Sequence, residues 1–425
     1  MNLLLKAAGP SPGRKLYLAR QTMNAIFLAT LAVGFLLLRE LIGDMYIAAT
    51  AALLTFSGSQ FMFYRTMIHF DQPALLGLLL LLYAVLRRQK CGSLTALYLW
   101  ALFAVSFGRG YVSLLFLGFW AAIDYGISLW SEWPNPLTAV ALWVKQDAVR
   151  VLALAAAVTA CYLVYNVATE ARVRGVSFFE TSIVDSAGRR LGFVPSRDPA
   201  ASEWRRYLPA TAGRLVRLAT PYPVFKVMSE NVDVTRLHAA LPLAAAVVFL
   251  AAVLISHLSA LPPGDRAFYL LLMASGLPWF IGMRRHAASF NYTTIYFAGL
   301  VLVFYAAVCA RIPKKLRGVG LAVSVAVFVA SAAAVNVDRS ALTAGEPYTA
   351  DFARVVERLR PDDRVYIPGD YRELLYFRPY ALGFYLSRQA IAPAGRADYA
   401  LSDDRRFAPG NLTPENTAVF LFPAP

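Results

Sequence analysis

The sequence predicts an all-α polytopic membrane bundle of about ten transmembrane helices, with a small extracytoplasmic α/β domain at its C-terminal end. Three observations lead there. Of 425 residues, 58% are hydrophobic and 16% charged, against roughly a quarter charged in an ordinary soluble domain. Apolar stretches near the roughly 20 residues needed to cross a bilayer recur more often than one buried core could absorb. The Lys and Arg residues lie in the connections between those stretches, so the formal charge of +15 reads as positive-inside bias rather than as a nucleic-acid surface.

The first span runs from about Arg20 to Arg39 and the second from Asp44 to Phe63, joined by a short polar turn at Glu40 and Gly43. A third, from Gln72 to Leu86, stops at the basic cluster Arg87, Arg88, Gln89, Lys90. The stretch Leu94 to Tyr125 is too long for one crossing and is broken by Gly108-Arg109-Gly110, which predicts two short helices meeting at Arg109. Further spans are expected at Ala148 to Val167, Leu237 to Leu258, Phe268 to Met283, Tyr292 to Cys309 and Gly318 to Val335. A long polar loop occupies 170–236.

These spans make residues 1–335 a membrane domain and 336–425 a soluble one. In the latter, DFARVVERLRPDDRVYIP reads as a helix followed by a strand at Val365 to Ile367, and AVFLFPA reads as another strand. Cys91, Cys161 and Cys309 lie within or beside membrane segments without CxxC spacing, so neither a disulfide framework nor a zinc site is indicated.

Orientation follows from placing the clusters at 87–90 and 311–317 (RIPKKLR) in the cytoplasm. Both fit if Leu94 to Tyr125 crosses twice. The segment with His69 and Asp71, the Arg109 turn, the 170–236 loop, Arg284 to His286 and the C-terminal domain then share the extracytoplasmic face. That loop carries eleven Lys or Arg against seven Asp or Glu, but loops beyond about 60 residues are weakly governed by the charge rule. The same parity puts Lys6, Arg14, Lys15 and Arg20 outside, a conflict that a further helix upstream would remove.

Candidate functional residues gather in that outer layer. Arg65, His69 and Asp71 fall in one turn region, FMFYRTMIHFDQPALLG. Asp71 before Gln72-Pro73 suits a helix N-cap as well as a catalytic carboxylate. Arg109 suits interfacial snorkelling as well as a phosphate ligand. Arg284, Arg285 and His286 follow a span directly, with Tyr292 opening the next; paired arginines on the outer side run against the usual bias and suit an anion. The segment 202–225 has the pattern of an interfacial amphipathic helix.

Residues 20–87, in the order Arg20, LLLRELIGD, an Ala-rich span, then HFDQPALLGLLLLLYAVLRR, resemble the membrane-embedded C-type glycosyltransferases of the protein O-mannosyltransferase and aminoarabinose-transferase group, the family 39-like enzymes. In that superfamily an Arg-rich turn and an Ala-rich helix precede an Asp that opens the next span; Asp71 matches it. The resemblance implies a polyprenyl-phosphate sugar donor, transfer to an extracytoplasmic acceptor (lipid, glycan or protein), and a bacterial-type inner-membrane location. It gives Asp71 a catalytic role. An inverting sugar transfer also needs cationic or metal stabilisation of the departing phosphate, which makes a divalent ion held by Asp71 a candidate cofactor and Arg65, His69, Arg109, Arg284, Arg285, His286 and Tyr292 candidate substrate ligands. The family's acidic base lies in a first loop, yet no Asp or Glu precedes Glu40 here. The expectation is that a first helix and that loop are missing from this sequence, or that the base is absent. A lipid-linked glycan transporter and a surface polysaccharide polymerase or ligase are the rival classes, although neither inverted repeats nor broken helix pairs stand out.

Overall fold

The structure, a computed structural model, describes residues 12–65, 71–91, 147–181, 204–231, 251–282 and 291–344. It also describes positions 138 and 184 and the strand residues 364–366, 390–391, 399–402 and 420–423. The expected double crossing between Leu94 and Tyr125 lies outside these residues. The chain divides into two compact units, one of Met1–Asn24, Thr66–Ile68 and Ala334–Pro425, the other of Ala25–Arg65 and His69–Ala333.

The described residues of the larger unit are mostly helical. Helix α1 (Pro12–Ile42) enters it at Ala25 and runs unbroken through the apolar stretch. It ends where Gly43 takes a left-handed φ of 73° and donates its backbone N–H to the Arg39 carbonyl at 2.9 Å, a conformation only glycine adopts without strain. Asp44 immediately caps α2 (Met45–Phe56), its carboxylate accepting the Ile47 N–H at 3.0 Å.

The second expected span is not one helix. It breaks at Ser57-Gly58 into α2 and the short α3 (Ser59–Tyr64). A Cβ on Gly58 would sit 1.9 Å from the Leu218 carbonyl oxygen, so only glycine lets that backbone approach. The approaching elbow joins α6 (Trp204–Ala219) to α7 (Tyr222–Asn231). Ser59 N–H donates to the Thr220 carbonyl at 2.9 Å, Tyr222 N–H to the Ser57 carbonyl at 3.1 Å, and the Ser59 hydroxyl to the Arg217 carbonyl at 2.6 Å. Much of the long loop is therefore helix, welded to the break in the second span.

Helix α4 (Asp71–Cys91) starts with Pro73 in its first turn and continues as a Leu-rich run, buried from Asp71 to Leu79. Helix α5 (Asp147–Arg174) follows. Helix α8 (Pro263–Met273) is entered through Pro262 and Pro263 and continues through a 3-10 turn at Ala274–Gly276 into α9 (Leu277–Gly282). A 3-10 segment, Asn291–Phe297, leads into α10 (Ala298–Cys309), and α11 (Arg317–Ala344) is the last helix among the described residues. The core lies among α1, α2, α10 and α11. There Phe27 packs edge-on against Phe56 at 6.0 Å and stacks on Phe328 at 6.3 Å, while Phe56 meets Phe61 at 4.9 Å.

Among the described residues two helices are long and apolar enough to cross a bilayer, Tyr17–Ile42 and Lys314–Asp338, with mean hydropathies of 2.1 and 2.2. In the second, Val319, Val323, Val329 and Val337 are each more than half exposed, unlike the residues of a soluble core helix. Met45–Phe56, Asp71–Ala84, Phe268–Ile281 and Thr294–Cys309 are apolar but shorter.

In the smaller unit four short strands form one sheet in the order β2-β1-β3-β4: β1 (Arg364–Tyr366), β2 (Ala390–Ile391), β3 (Tyr399–Ser402) and β4 (Phe420–Pro423). Strand β1 runs parallel to β2 and β3, whereas β3 and β4 are antiparallel, with Ala400 opposite Phe422. The helix expected before β1 lies outside the described residues.

Candidate functional site

The larger unit has two polar ends of different character. At one, the α1–α2 turn collects the basic clusters. Arg87 Nη1 pairs with Glu40 Oε1 at 3.2 Å, and Arg317 Nη1 pairs with Asp44 Oδ2. Nearby in the chain, Arg311 donates to the Ser256 hydroxyl at 2.7 Å. Arg266 covers the open carbonyls of Leu258, Ser259 and Leu261 at 3.0–3.1 Å, where the helix over 251–259 ends.

The opposite end begins sixteen residues back along α4, about 24 Å at the helical rise of ~1.5 Å per residue. Asp71 stands there in the first turn, 2% exposed. The hydroxyl of Tyr296, on the 3-10 segment 291–297, donates to Asp71 Oδ1 at 2.5 Å. That is the short distance expected when a hydroxyl donates to a carboxylate. Two residues earlier on the same segment, the Thr294 hydroxyl donates to Gln60 Oε1 of α3 at 2.5 Å. Trp279 of α9 packs on the Tyr296 ring, centroids 5.0 Å apart. The 3-10 segment thus joins α3, α4, α6 and the α8–α9 turn. Its period of about three residues brings Thr294 and Tyr296 to separate neighbours, where an α-helix would turn them differently.

Arg65 follows α3 and is 8% exposed. Its Nη2 donates to the Ala332 carbonyl of α11 at 3.1 Å, and Nη1 lies 3.7 Å from Met62 Sδ. Burial lowers its pKa from the ordinary arginine value, but arginine starts so high that it stays cationic at neutral pH. The structure therefore places Arg65 as a tie between α3 and α11. Tyr292 belongs to the 3-10 segment, but its side chain lies outside the description, as do His69, Arg109, Arg284, Arg285 and His286.

A divalent ion takes about six or more oxygen ligands, or several waters beside one or two carboxylates. Among the described residues no group of three or more His, Cys, Asp or Glu surrounds Asp71 or any other point, so these residues assign no metal step. The segment 202–225, expected to be amphipathic, contributes α6, whose Leu218 is fully buried against Gly58 while Val216 and Arg217 face outward. The Arg217 guanidinium lies 5.4 Å from the Phe225 ring centroid.

No family model matches the chain, and no curated protein matches it. The arrangement itself is what carries meaning: a carboxylate buried at the mouth of an apolar helix, held by a tyrosine from a segment 225 residues away. Tyr296, Gln60, Thr294 and Trp279 escaped the sequence reading because each sits inside an apolar run. The weak signal was the polar Asn291-Tyr292-Thr293-Thr294 start of the expected span.

Proposed function

We propose that the chain is a multi-pass membrane glycosyltransferase that moves a sugar from a polyprenyl-phosphate donor to an extracytoplasmic acceptor. The observation that carries the reading is Asp71, buried where an apolar helix opens and fixed by Tyr296. A buried carboxylate at a helix mouth is costly unless held and used. Support also comes from the polar ends: the clusters around Arg87 and Arg317 share the α1–α2 turn, so one end is rich in fixed cations and the positive-inside rule assigns it to the cytoplasm. Asp71 then faces the opposite side, where lipid-linked sugars present their phosphates. The exposed valines of α11 face lipid in this arrangement, and about ten helices make up the bundle, with the C-terminal sheet outside.

In the transfer an acceptor oxygen bonds to the anomeric carbon. The anomeric C–O bond to phosphate breaks, and its electron pair leaves with the polyprenyl phosphate. Asp71 orients the acceptor hydroxyl and accepts its proton as the new bond forms, while arginine forks of Arg284 and Arg285 neutralise the departing phosphate.

The test is a transfer assay with purified protein and a polyprenyl-phosphate sugar. Asp71→Asn at equal abundance should abolish most product formation; full activity would remove Asp71 from the mechanism. Flux of a lipid-linked glycan across proteoliposomes without covalent transfer would instead establish a transporter. Reporter fusions after Gln89 and Lys315 should read cytoplasm, and fusions near Asp198 and after Ala350 the outside; reversal of all four would overturn the orientation.

A further inference from the structure

Gln72 follows Asp71 in the first turn of α4 and is 2% exposed. Among the described residues, neither its Oε1 nor its Nε2 has a hydrogen-bond partner. A primary amide stripped of water on both sides is among the costlier groups to bury, and native proteins rarely leave one unmet without a use for it. Among the described residues nothing in the local fold asks for an amide here. The following residues, Pro73 and the Leu-rich run, would be served as well by an apolar side chain, and Leu75, Leu78 and Leu79 on the same helix are fully buried. The amide is therefore a cost retained beside the one carboxylate that Tyr296 holds in place.

We propose that Gln72 is a substrate-binding residue that reads a hydroxyl of the transferred sugar. The choice of hydroxyl follows from the chemistry of the amide. Oε1 needs a donor and Nε2 needs an acceptor. A phosphate oxygen only accepts and would leave Oε1 unmet. A hydroxyl donates and accepts, so one sugar hydroxyl, or a neighbouring pair, satisfies both atoms. Gln72 thus separates the sugar from its carrier phosphate in recognition, leaving the phosphate to cationic groups. A site built around paired amide atoms rejects an analogue lacking the hydroxyl, because the amide is left unmet again.

The inference rests on the glycosyltransferase reading but is tested separately from it. Gln72→Leu and the closer isostere Gln72→Met should leave the ligand-free protein as thermally stable as the parent or more so, since an unmet amide is removed. Both should bind a polyprenyl-phosphate sugar about tenfold or more weakly, raising KM more than they lower kcat. Binding of polyprenyl phosphate without sugar should be unchanged. Loss of thermal stability in both variants would make Gln72 a structural residue and overturn the inference, as would unchanged sugar-donor affinity, the result expected if the amide serves only a buried water. Weakening of sugar-bearing and sugar-free carrier alike would reassign it to the phosphate and overturn the sugar role. If the parent bound neither carrier, the glycosyltransferase reading would fail first, and the sugar role of Gln72 with it.

Discussion

Tyr296 donates its hydroxyl to Asp71 Oδ1 at 2.5 Å, joining the 3-10 segment before α10 to the first turn of α4. The bond fixes where the carboxylate points, and it also couples the packing of two apolar elements. Tyr296→Phe should therefore affect stability and activity together. Loss of one bond to a buried carboxylate costs about 1–3 kcal/mol, read as a lower melting temperature. The transfer rate should fall about tenfold or more as the carboxylate loses its orientation. A double-mutant cycle with Asp71→Asn should show coupling of about 0.5–3 kcal/mol; additive effects would mean that the two side chains act independently.

Asp44 serves two partners, capping α2 through Ile47 N–H and pairing with Arg317 at the start of α11. Both side chains are about four-fifths buried, so the pair is better shielded than an exposed one, which contributes about 0–1 kcal/mol. Asp44→Ala removes both interactions and should cost about 1–3 kcal/mol in thermal or denaturant unfolding. Asp44→Asn keeps the cap and loses the charge, so it should cost less. Equal losses for the two substitutions would show that the cap contributes nothing.

Helix existence was legible where the residues carry their own punctuation. The end of α1 could be read from Gly43 and Asp44 after an apolar run, and the start of α4 from Asp71 followed closely by Pro73, because capping and proline preferences act locally. The strands at Arg364–Tyr366 and Phe420–Pro423 were visible as short β-branched and aromatic runs, whereas Ala390–Ile391 is only two residues long and Tyr399–Ser402 contains no β-branched residue to mark it. The break at Ser57-Gly58 passed as one more pair of small residues in an apolar span. Its cause is the Leu218 carbonyl, 160 residues away, which no local pattern announces. Asp71 was legible as a candidate for the same local reason as its helix. Its partner Tyr296 was hidden, because a tyrosine in an apolar run looks like any interfacial aromatic until the fold brings it to a carboxylate.

Ser177 and Glu180 form a reciprocal capping box on the 3-10 turn Phe178–Glu180, with Ser177 N–H donating to Glu180 Oε2 at 3.0 Å. The Ser177 backbone, then its hydroxyl, hold the Glu180 carboxyl below its ordinary value. A carboxylate depressed in the folded state contributes order above its unfolded value, near about 4.3, and loses it as pH falls through the lower folded value. Hydrogen exchange at the Ser177 amide should accordingly be slow at neutral pH relative to its intrinsic rate, and that protection should disappear on acidification. Glu180→Gln should remove the pH step. Protection that persisted unchanged through pH 2 would show that the carboxylate does not hold the turn.

Gly58 and Gly213 offer opposite outcomes from the same substitution. At Gly58 a methyl group would collide with backbone, 1.9 Å from the Leu218 oxygen and 3.0 Å from the Thr55 oxygen. Backbone cannot swing aside as a side chain does, so Gly58→Ala must push the α6–α7 elbow away from α3. The movement stretches the hydrogen bonds from Ser59 to Thr220 and Arg217 and from Tyr222 to Ser57. Overpacking of this kind costs about 1–3 kcal/mol or more, and the cost should appear as a lower melting temperature with faster proteolysis within 204–231. Gly213 lies inside α6 with nothing within 4 Å of an added methyl. There the lower backbone entropy of alanine should stabilise the helix by about 0.5–1 kcal/mol, and proteolysis should slow. If Gly58→Ala were as stable as Gly213→Ala, the elbow would not be seated on the break in the second span, and the long loop would be free of the bundle at that point.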